Sequence, residues 1–305
     1  MRFAISMPQR FGDGAFEPDA FRAFLTRAEA LGFESAWTQE QVLGAFPQLA
    51  PTETMTYAAA CCDRIRLGCA VYVTPLHNPV HLAKSLSTLD QLSGGRIEIG
   101  VGPGDRHRPF AAFGADPATY IARFTEGVRL MKACWTEPEI TFEGRFWQVR
   151  SAAMEPKPFQ KPFPPLWFGG GHANALRRAV RLGDGFFGAG STTTGQFRDH
   201  VRNLRTILDE EGRDPTGFPI AKRVYIQVDD DTGRARRLAT EGLARIYAHV
   251  GADLTPVAVL GSPDACVAGV REVIDAGAEM ILLTPLHEEA AQMERLAAEV
   301  VPKAD

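Results

Sequence analysis

The sequence lacks an excess of basic residues. Its 305 residues include 33 Lys and Arg against 37 Asp and Glu, so the formal net charge is −4. A surface for nucleic acid or for an acidic membrane is therefore not expected. The chain also lacks the apolar run of about 18 residues that a membrane helix needs, and its first residues are too polar for a signal peptide. We expect a cytoplasmic protein whose partner is a small-molecule substrate.

Cysteine is scarce, and its spacing does not suggest a framework. The five cysteines are an odd number and include no C-x-x-C pair. We therefore expect reduced, mostly buried thiols rather than disulfides or a zinc site. No HxH pair is present to preorganise metal ligands, and no metal site is expected.

Several catalytic motifs are absent. The sequence has no G-x-x-x-x-G-K-[ST] loop, and "GVGPG" at 100–104 is not the G-x-G-x-x-G of dinucleotide folds. Ser191 stands outside a G-x-S-x-G context, and no lysine ends the sixth predicted strand. These absences disfavour a P-loop nucleotidase, a Rossmann dehydrogenase, a serine hydrolase and a Schiff-base barrel enzyme.

What the chain does contain is a regular alternation of strand and helix patterns. Amphipathic helices are predicted at 18–32, 78–92 and 119–135, with Asn78 as a cap and with Gly32 and Gly277 as stop signals. Nearly continuous apolar runs predict buried strands. Eight such units favour one (β/α)8 TIM barrel domain over residues 1–305, with an open doubly wound sheet as the alternative. The predicted strands are 3–7, 33–37, 66–73, 97–102, 166–169, 185–189, 220–228 and 280–285.

One segment, about 136–165, interrupts this rhythm between the fourth helix and the fifth strand. "ITFEGRFWQV" predicts a hairpin that turns near Glu143 and Gly144. "EPKPFQKPFPP" then carries five prolines in eleven residues and predicts a fixed, extended connection. We interpret the segment as an insertion beside the mouth of the barrel.

Ligand sites of such barrels lie at the carboxyl ends of the strands. Four of the seven histidines follow predicted strands and are candidates for a shared site: His77, His107, His172 and His287. Gly169, Gly170 and Gly171 end the fifth strand and open onto a helix, where bare backbone N–H groups favour a phosphate. His172 could add a hydrogen bond. The alternative is that these glycines only make a tight turn.

Longer stretches resemble the bacterial-luciferase-like superfamily of flavin- and deazaflavin-dependent oxidoreductases. The resemblance covers nearly the whole chain and is carried by "RLGCAVYVTPLHNPVHLAKSLSTLDQLSGGR", "GGRIEIGVGPG", "YIARFTEGVRLMKACW", "EITFEGRFW" and "EPKPFQKPFPPLWFGGGHANALRRAVRLGDGF". It implies a TIM barrel that binds FMN or the deazaflavin coenzyme F420. The form of the glycine cluster after the fourth strand favours F420 and hydride transfer to or from a small organic substrate. The alternative is an FMN-dependent monooxygenase that uses reduced flavin and O2.

The resemblance also assigns site residues. The phosphate would lie at Gly170, Gly171 and His172, with Gly169 also binding the cofactor, and the ring would lie against Ala70 and Val71, whose peptide bond is expected to be cis. The glycine cluster contributes Gly102 and Gly104. Many relatives carry an acidic residue followed by histidine after the second strand. Here Glu40 keeps the acidic position, and Gln41 replaces the histidine.

A neutral amide cannot shuttle a proton as imidazole does. The proton donor is therefore expected to be Glu40, Asp105 or a histidine from another loop. The loss of histidine at position 41 leaves open a non-catalytic flavin-binding barrel; a cofactor-free phosphate-binding lyase or isomerase is a further alternative.

Two more expectations concern the surroundings of the cofactor. Arg106 and Arg108 could meet the acidic tail of F420. The pocket wall would come from Phe46, the 105–114 loop and the hairpin residues Phe142, Phe146 and Trp147, which favours an apolar or aromatic substrate. By analogy with the family, the first two helices would form a homodimer interface.

Overall fold

The computed structural model describes residues 1–12, 14–44, 46–104, 110–247 and 253–304. Within these ranges, eight parallel strands close into a ring of order β1-β2-β3-β4-β7-β8-β9-β11, and β11 pairs with β1. The predicted TIM barrel is confirmed, and the open sheet is excluded. The strands are β1 (Arg2–Ser6), β2 (Ser35–Thr38), β3 (Arg66–Val73), β4 (Ile97–Gly102), β5 (Ile140–Glu143), β6 (Gln148–Ala152), β7 (Leu166–Gly169), β8 (Gly185–Gly188), β9 (Ile220–Val228), β10 (Val259–Gly261) and β11 (Met280–Pro285).

Helices surround the ring and bury one apolar face each against it. The helices are α1 (Pro18–Ala30), α2 (Pro51–Cys61), α3 (Pro79–Leu92), α4 (Tyr120–Thr136), α5 (Ala173–Leu182), α6 (Thr194–Glu210), α7 (Thr232–Ile246), α8 (Pro263–Asp275), α9 (Glu289–Arg295) and α10 (Val301–Ala304), with a π-helical turn at Leu296–Val300. In the described ranges, no helix combines the length and the apolar character needed to cross a bilayer.

The predicted helix signals have their expected geometry. The Asn78 side chain accepts hydrogen bonds from the N–H groups of Val80 (3.0 Å) and His81 (3.2 Å), so it caps α3. Gly32 (φ 86°) and Gly277 (φ 103°) lie after α1 and α8 in the left-handed region that glycine tolerates. All five cysteines are free, as expected; four are buried and Cys61 is half-buried.

Three aromatic rings fill the middle of the barrel. Trp37 packs edge-on against Phe187 at 4.9 Å between ring centroids, and Trp167 lies 6.3 Å from Trp37 and 5.8 Å from Phe187. Gly68 and Gly185 leave room for the two indoles, since a Cβ at either position would overlap a tryptophan ring. We call these three rings the aromatic plug. It separates the two ends of the barrel.

The amino end of the barrel is closed by a buried ion-pair network. The Glu98 carboxylate, 2% exposed, accepts from Arg66 Nε (2.6 Å) and Arg2 Nη2 (3.2 Å). Its second oxygen accepts from Trp167 Nε1 at 2.7 Å. Each residue lies at or next to the first position of its strand. The network therefore anchors the aromatic plug to the amino end.

The segment between α4 and β7 contains the predicted hairpin, formed by antiparallel β5 and β6. Glu126 of α4 accepts hydrogen bonds from the backbone N–H groups of Arg145, Phe146 and Trp147, which fixes the turn. The proline-rich connection runs along α3, where the Gln160 N–H donates to Asp90 at 2.8 Å. It also contains two cis prolyl bonds, at Pro156 and Pro162.

The short strand β10 was not among the predicted elements. It pairs with the carboxyl-terminal end of β9, joining Val259 to Ile226 and Gly261 to Val228. With only three residues, two of them half-buried, it gives no readable hydrophobic pattern. It inserts an additional strand–helix unit, β10 and α8, before the last strand of the ring.

Candidate active site

A cavity of about 980 Å³ opens at the carboxyl end of the barrel. Residues from the ends of β2, β3, β4, β7, β8 and β9 line it, and Phe187 of the aromatic plug forms part of its floor. This is the end at which TIM barrels bind ligands. The lining includes these residues from the sequence-based prediction: Glu40, Gln41, Phe46, Ala70, Val71, Gly102, Gly104, Gly169 and Gly170.

One wall of the cavity is a bulge in β3. The pairing of β3 with β4 shifts register between Cys69 and Tyr72, and the Ala70–Val71 peptide bond is cis, as expected from the resemblance. The Val71 side chain lies over neighbouring glycines. A Cβ on Gly102 would lie 2.7 Å from Val71 Cγ2, whereas a Cβ on Gly169 would lie 3.6 Å from Val71 Cγ1. Gly102 is therefore required for the bulge to pack, and Gly169 keeps the wall bare.

Arg223 of β9 reaches across the barrel to this bulge. Its side chain is buried, and Nη2 donates to the Ala70 carbonyl at 3.0 Å. The other terminal nitrogen, Nη1, is enclosed and has no hydrogen-bond partner in the described part of the chain. A buried guanidinium with a free donor is costly, so this nitrogen marks a position where an acceptor is missing.

Glu40 is buried at the rim of the cavity and is held on both oxygens. Oε2 accepts from the Val73 N–H at 2.6 Å, and Oε1 lies 2.7 Å from Nε2 of His77. Tyr72 packs edge-on against the His77 ring at 6.1 Å. The Glu40–His77 pair thus joins the loop after β2 to the loop after β3. It supplies an imidazole next to the acidic position, although position 41 lacks one.

Gln41 also lines the cavity, but its amide folds over Gly44. A Cβ on Gly44 would overlap the Gln41 side chain, so the glycine makes room for it. The backbone of the same loop is fixed by Gln9, whose Nε2 donates to the Gln39 carbonyl at 2.9 Å. Gln41 is therefore placed as a cavity wall.

The three glycines after β7 have different surroundings. Gly169 and Gly170 line the cavity, and Gly170 has φ 122°. Gly171 instead packs against the His200 ring of α6, which a Cβ would overlap. His172 is exposed and caps α5, because its Nδ1 accepts from the Asn174 N–H at 3.2 Å. The first turn of α5 adjoins the cavity at Gly170.

The three candidate histidines that the structure describes have separate partners. His77 contacts Glu40, His172 caps α5, and the N–H of His287 donates to Gln227 at 3.2 Å. None of these three belongs to the cavity lining, so a shared site made of them is wrong. His107 lies outside the described residues. In the described ranges, no group of three or more His, Cys, Asp or Glu is placed to hold a metal ion.

The predicted pocket wall is only partly correct. Phe46 lines the cavity, but the hairpin aromatics Phe142, Phe146 and Trp147 do not. Trp147 instead stacks under the Arg123 guanidinium of α4 at 4.5 Å. The hairpin packs on α4 because Glu126 holds its turn there. Asp105, Arg106 and Arg108 lie outside the described residues, so their predicted roles stay predictions.

Several cavity residues were missed by the sequence reasoning: Arg10, Arg223, Tyr225, Arg245 and Tyr247. The strand pattern could have revealed two of them. Ala221 belongs to the barrel interior, and side chains alternate along a strand, so Arg223 and Tyr225 of β9 must also face inward. Arg245 and Tyr247 follow from the position of α7, which the sequence pattern did not supply.

A buried lysine supports the loop after β8. Lys222 of β9, 3% exposed, donates through Nζ to the carbonyl and the hydroxyl of Thr192, each at 2.9 Å, and to the Ala189 carbonyl. Burial lowers the pKa of Lys222 to about 7. Burial also lowers the pKa of the neighbouring His200, and the charge of Lys222 adds to that shift. Ala189 and Gly190 of this loop line the cavity.

Comparisons with known proteins agree with this architecture. A family model described as luciferase-like monooxygenase matches residues 1–258. The chain is 26% identical to the F420-dependent glucose-6-phosphate dehydrogenase of Kineococcus radiotolerans, over 94% of this chain and 93% of that protein. It is 27% identical to the FMNH2-dependent dimethylsulfone monooxygenase of Pseudomonas putida, over 76% of this chain and 64% of that protein. The monooxygenase RslO1 from Streptomyces bottropensis has the same fold over 100% of both chains, with a TM-score of 0.87 and 23% identity.

Proposed function

Because the chain belongs to the luciferase-like monooxygenase family, we propose that it is an F420-dependent enzyme that transfers hydride between the deazaflavin and a small organic substrate. Membership makes it an oxidoreductase; the choice of F420 is the proposal. The observation that supports a flavin-type ring is the bare wall at the carboxyl end of the barrel, and the form of the "GVGPG" cluster after β4 favours F420. There Gly102, Gly169 and Gly170 line the cavity without a side chain of their own, beside the Ala70–Val71 bulge.

The residues present fit such a cofactor. A flat ring can lie against the β3 bulge because Gly102 and Gly169 carry no side chain. The phosphate can approach Gly170 and the first turn of α5, where free N–H groups and the helix dipole favour an anion. Gly171 and His172 belong to the same turn. We assign the ring to Ala70, Val71, Gly102 and Gly104, and the phosphate to Gly169, Gly170, Gly171 and His172.

When bound, F420 would supply hydride transfer at a ring carbon, a chemistry that does not need oxygen. The protein's own part is orientation, exclusion of water and proton transfer. The aromatic plug closes the cavity below, so solvent can enter only at the mouth. Glu40 faces the cavity and contacts His77, so this pair is placed to accept or return the substrate proton. Asp105 remains the alternative donor.

An FMN-dependent monooxygenase is the second candidate. It is supported by the similarity to the FMNH2-dependent relative, which matches this chain at nearly the same identity as the F420-dependent one. The same bare wall accepts either ring, because both are flat tricyclic rings of nearly the same size. Binding therefore has to be compared directly.

The experiment titrates the purified protein with F420 and with FMN, and the quenching of cofactor fluorescence measures binding. We expect F420 to bind at least tenfold more tightly, a difference of about 1.4 kcal/mol. Turnover screening with the tighter cofactor then tests hydride transfer in the absence of oxygen. Preference for FMN with oxygen-dependent turnover would support the second candidate, and binding of neither cofactor would contradict both.

A matched pair of variants tests the assigned wall. In Gly169→Ala the added methyl makes only ordinary contacts with Val71 (3.6 Å), yet it projects into the cavity. In Gly217→Ala nothing lies within 4 Å of the new Cβ, so this variant is the control. We expect Gly169→Ala to weaken F420 binding about tenfold, or 1.4 kcal/mol, and Gly217→Ala to leave it unchanged.

A further inference from the structure

The charge of the cavity is opposite to that of the chain as a whole. Among the described lining residues, the fully charged side chains are Arg10, Arg223, Arg245 and Glu40. The Glu40 carboxylate is already occupied by the Val73 N–H and by His77. Three guanidiniums therefore face the cavity against one engaged carboxylate, in a protein of net charge −4.

Arg223 is the most confined of the three. It is 4% exposed, and it forms none of the ion pairs in the described part of the chain. Its Nη2 donates to the Ala70 carbonyl, and its Nη1 has no acceptor among the described residues. Because a buried, unpaired guanidinium is costly, its presence calls for an anionic or strongly accepting group that the described residues do not provide.

Arg10 lies next to it. Its Nε donates to Gln48 Oε1 at 2.8 Å. Burial lowers the pKa of Arg10, and the nearby charge of Arg223 lowers it further. Glu289 contributes an opposing charge, but it lies beyond ion-pair distance in the described structure. Two cations held close together favour an anion between them.

Hydroxyl groups complete this side of the cavity. Tyr225 is two residues from Arg223 on the same face of β9, and its hydroxyl lies 2.9 Å from that of Tyr247. Leu43, Phe46 and Ile246 line the cavity as well and supply apolar surface. The combination is an oxyanion-binding group of side chains beside an apolar region, and Arg223 joins it to the bare wall at the Ala70 carbonyl.

We propose that Arg10 and Arg223, with Tyr225 and Tyr247, form a substrate subsite for an oxyanion, so that the substrate is a small organic carboxylate or phosphate ester with an apolar body. This inference rests on the proposed function, since it names the substrate class of the same cavity. Arg245, exposed at the end of α7, widens the positive entrance to the subsite.

The test uses the cofactor-loaded protein, in which the phosphate position at Gly170 is filled. Inorganic phosphate and benzoate are titrated separately by calorimetry, so that the two arms distinguish phosphate esters from carboxylates. We expect one probe to bind, and Arg223→Met and Arg10→Gln each to weaken it at least tenfold. Arg202→Met, which removes an exposed arginine of α6, is the charge-matched control and should have no effect.

Three outcomes would overturn the proposal. The first is that neither probe binds to the wild-type protein, and the second is that Arg202→Met weakens probe binding as much as Arg223→Met does. The third is that Arg223→Met and Arg10→Gln weaken the binding of F420 and leave the binding of both probes unaffected, which would assign the arginines to the cofactor tail. If Arg223→Met does not fold, Arg223→Lys keeps the charge and loses the second donor, and it should weaken the probe by a smaller factor than Arg10→Gln.

The oxyanion subsite and the proposed cofactor can fail independently of each other in these measurements. In the cofactor-free protein, Arg223-dependent binding of a probe would support the subsite even if neither F420 nor FMN bound. Conversely, normal F420 binding without any probe binding would leave the cofactor assignment intact and contradict the oxyanion subsite.

Discussion

The two ends of the barrel each bury a charged side chain, but they differ in how fully that charge is paired. At the amino end, the buried Glu98 carboxylate is surrounded by Arg2, Arg66 and the Trp167 indole, so every charge there has a partner. At the carboxyl end, the equally buried Arg223 has one partner and one free donor. Among the described residues, the charges of the amino-end network are paired, whereas the carboxyl end keeps an unpaired buried donor.

This difference separates stability from function within one sheet. Strands such as β3 and β9 contribute to both ends, so the division lies along each strand and not between domains. A polar group buried with all its partners contributes to a unique fold, whereas one left without a partner costs stability and is kept for binding. Substitutions at the amino end should therefore change unfolding, and those at the carboxyl end should change binding or turnover.

The largest effect is expected for Glu98→Ala. It leaves the buried Trp167 N–H without its acceptor and removes the carboxylate that Arg2 and Arg66 share, so we expect the free energy of unfolding to fall by about 3 kcal/mol. Glu34→Ala removes only the exposed partner of Arg2 and should cost less than about 1 kcal/mol. Urea denaturation measures both. A tenfold loss of cofactor affinity in folded Glu98→Ala would contradict the separation of the two ends.

The next effect concerns the Glu40–His77 pair. Glu40→Gln keeps the size and one acceptor for the Val73 N–H but removes the exchangeable proton, so we expect kcat to fall about 100-fold with F420 affinity unchanged. His77→Asn should lower kcat by a smaller factor and shift the pH profile, because it removes only the partner. Both are measured with the best substrate of the turnover screen, and Glu34→Gln is the control. A Glu40→Gln enzyme within fivefold of wild type would assign proton transfer elsewhere, with Asp105 the first residue to replace.

A pH-dependent effect is expected from Lys222. Burial places its pKa at about 7, against an ordinary value of 10.5. Above pH 7 the unfolded chain binds more protons at this position than the folded chain, so the unfolding free energy rises with pH. Below pH 7 both states are protonated and the slope vanishes. Between pH 7 and 8.5 the gain should approach 2 kcal/mol, at about 1.4 kcal/mol per pH unit.

Lys222→Met removes this titration. Urea denaturation at pH 6.5, 7.5 and 8.5 should show the wild type gaining stability relative to Lys222→Met as pH rises. Lys303→Met, at an exposed position, should follow the wild type. Parallel curves for wild type and Lys222→Met would show that Lys222 keeps its proton throughout this range.

Most of the fold could be predicted from the sequence, because the eight ring strands are buried on both faces and produce continuous apolar runs. The strand β10 could not, since three residues, two of them half-buried, give no pattern. The glycines at the end of β7 were predicted because glycines at a strand end are a local signal, whereas Glu40 was predicted from the family resemblance. The pairing of Glu40 with His77, the reach of Arg223 to Ala70 and the packing of the hairpin on α4 depend on contacts between distant segments, which a single sequence does not display.

The smallest effect distinguishes two reasons for the bare corner at Gly171. In the structure a Cβ at this position meets the His200 ring rather than the cavity. Gly171→Ala should therefore destabilise the protein by about 1–2 kcal/mol through overpacking. His200→Ala makes room for the methyl, so the double variant should be more stable than the sum of the single effects by about 1 kcal/mol.

Cofactor affinity separates the two reasons. If the glycine serves His200, Gly171→Ala combined with His200→Ala binds F420 as tightly as His200→Ala alone. If it instead leaves space for the phosphate, the added methyl weakens binding in both backgrounds. Gly195→Ala, where the nearest atom to a new Cβ is Thr193 Oγ1 at 3.9 Å, is the control near the same end of the barrel. If the loss of affinity persists in the double variant, Gly171 belongs to the cavity together with Gly169 and Gly170. If the affinity recovers, Gly171 is a packing residue like Gly68 and Gly185.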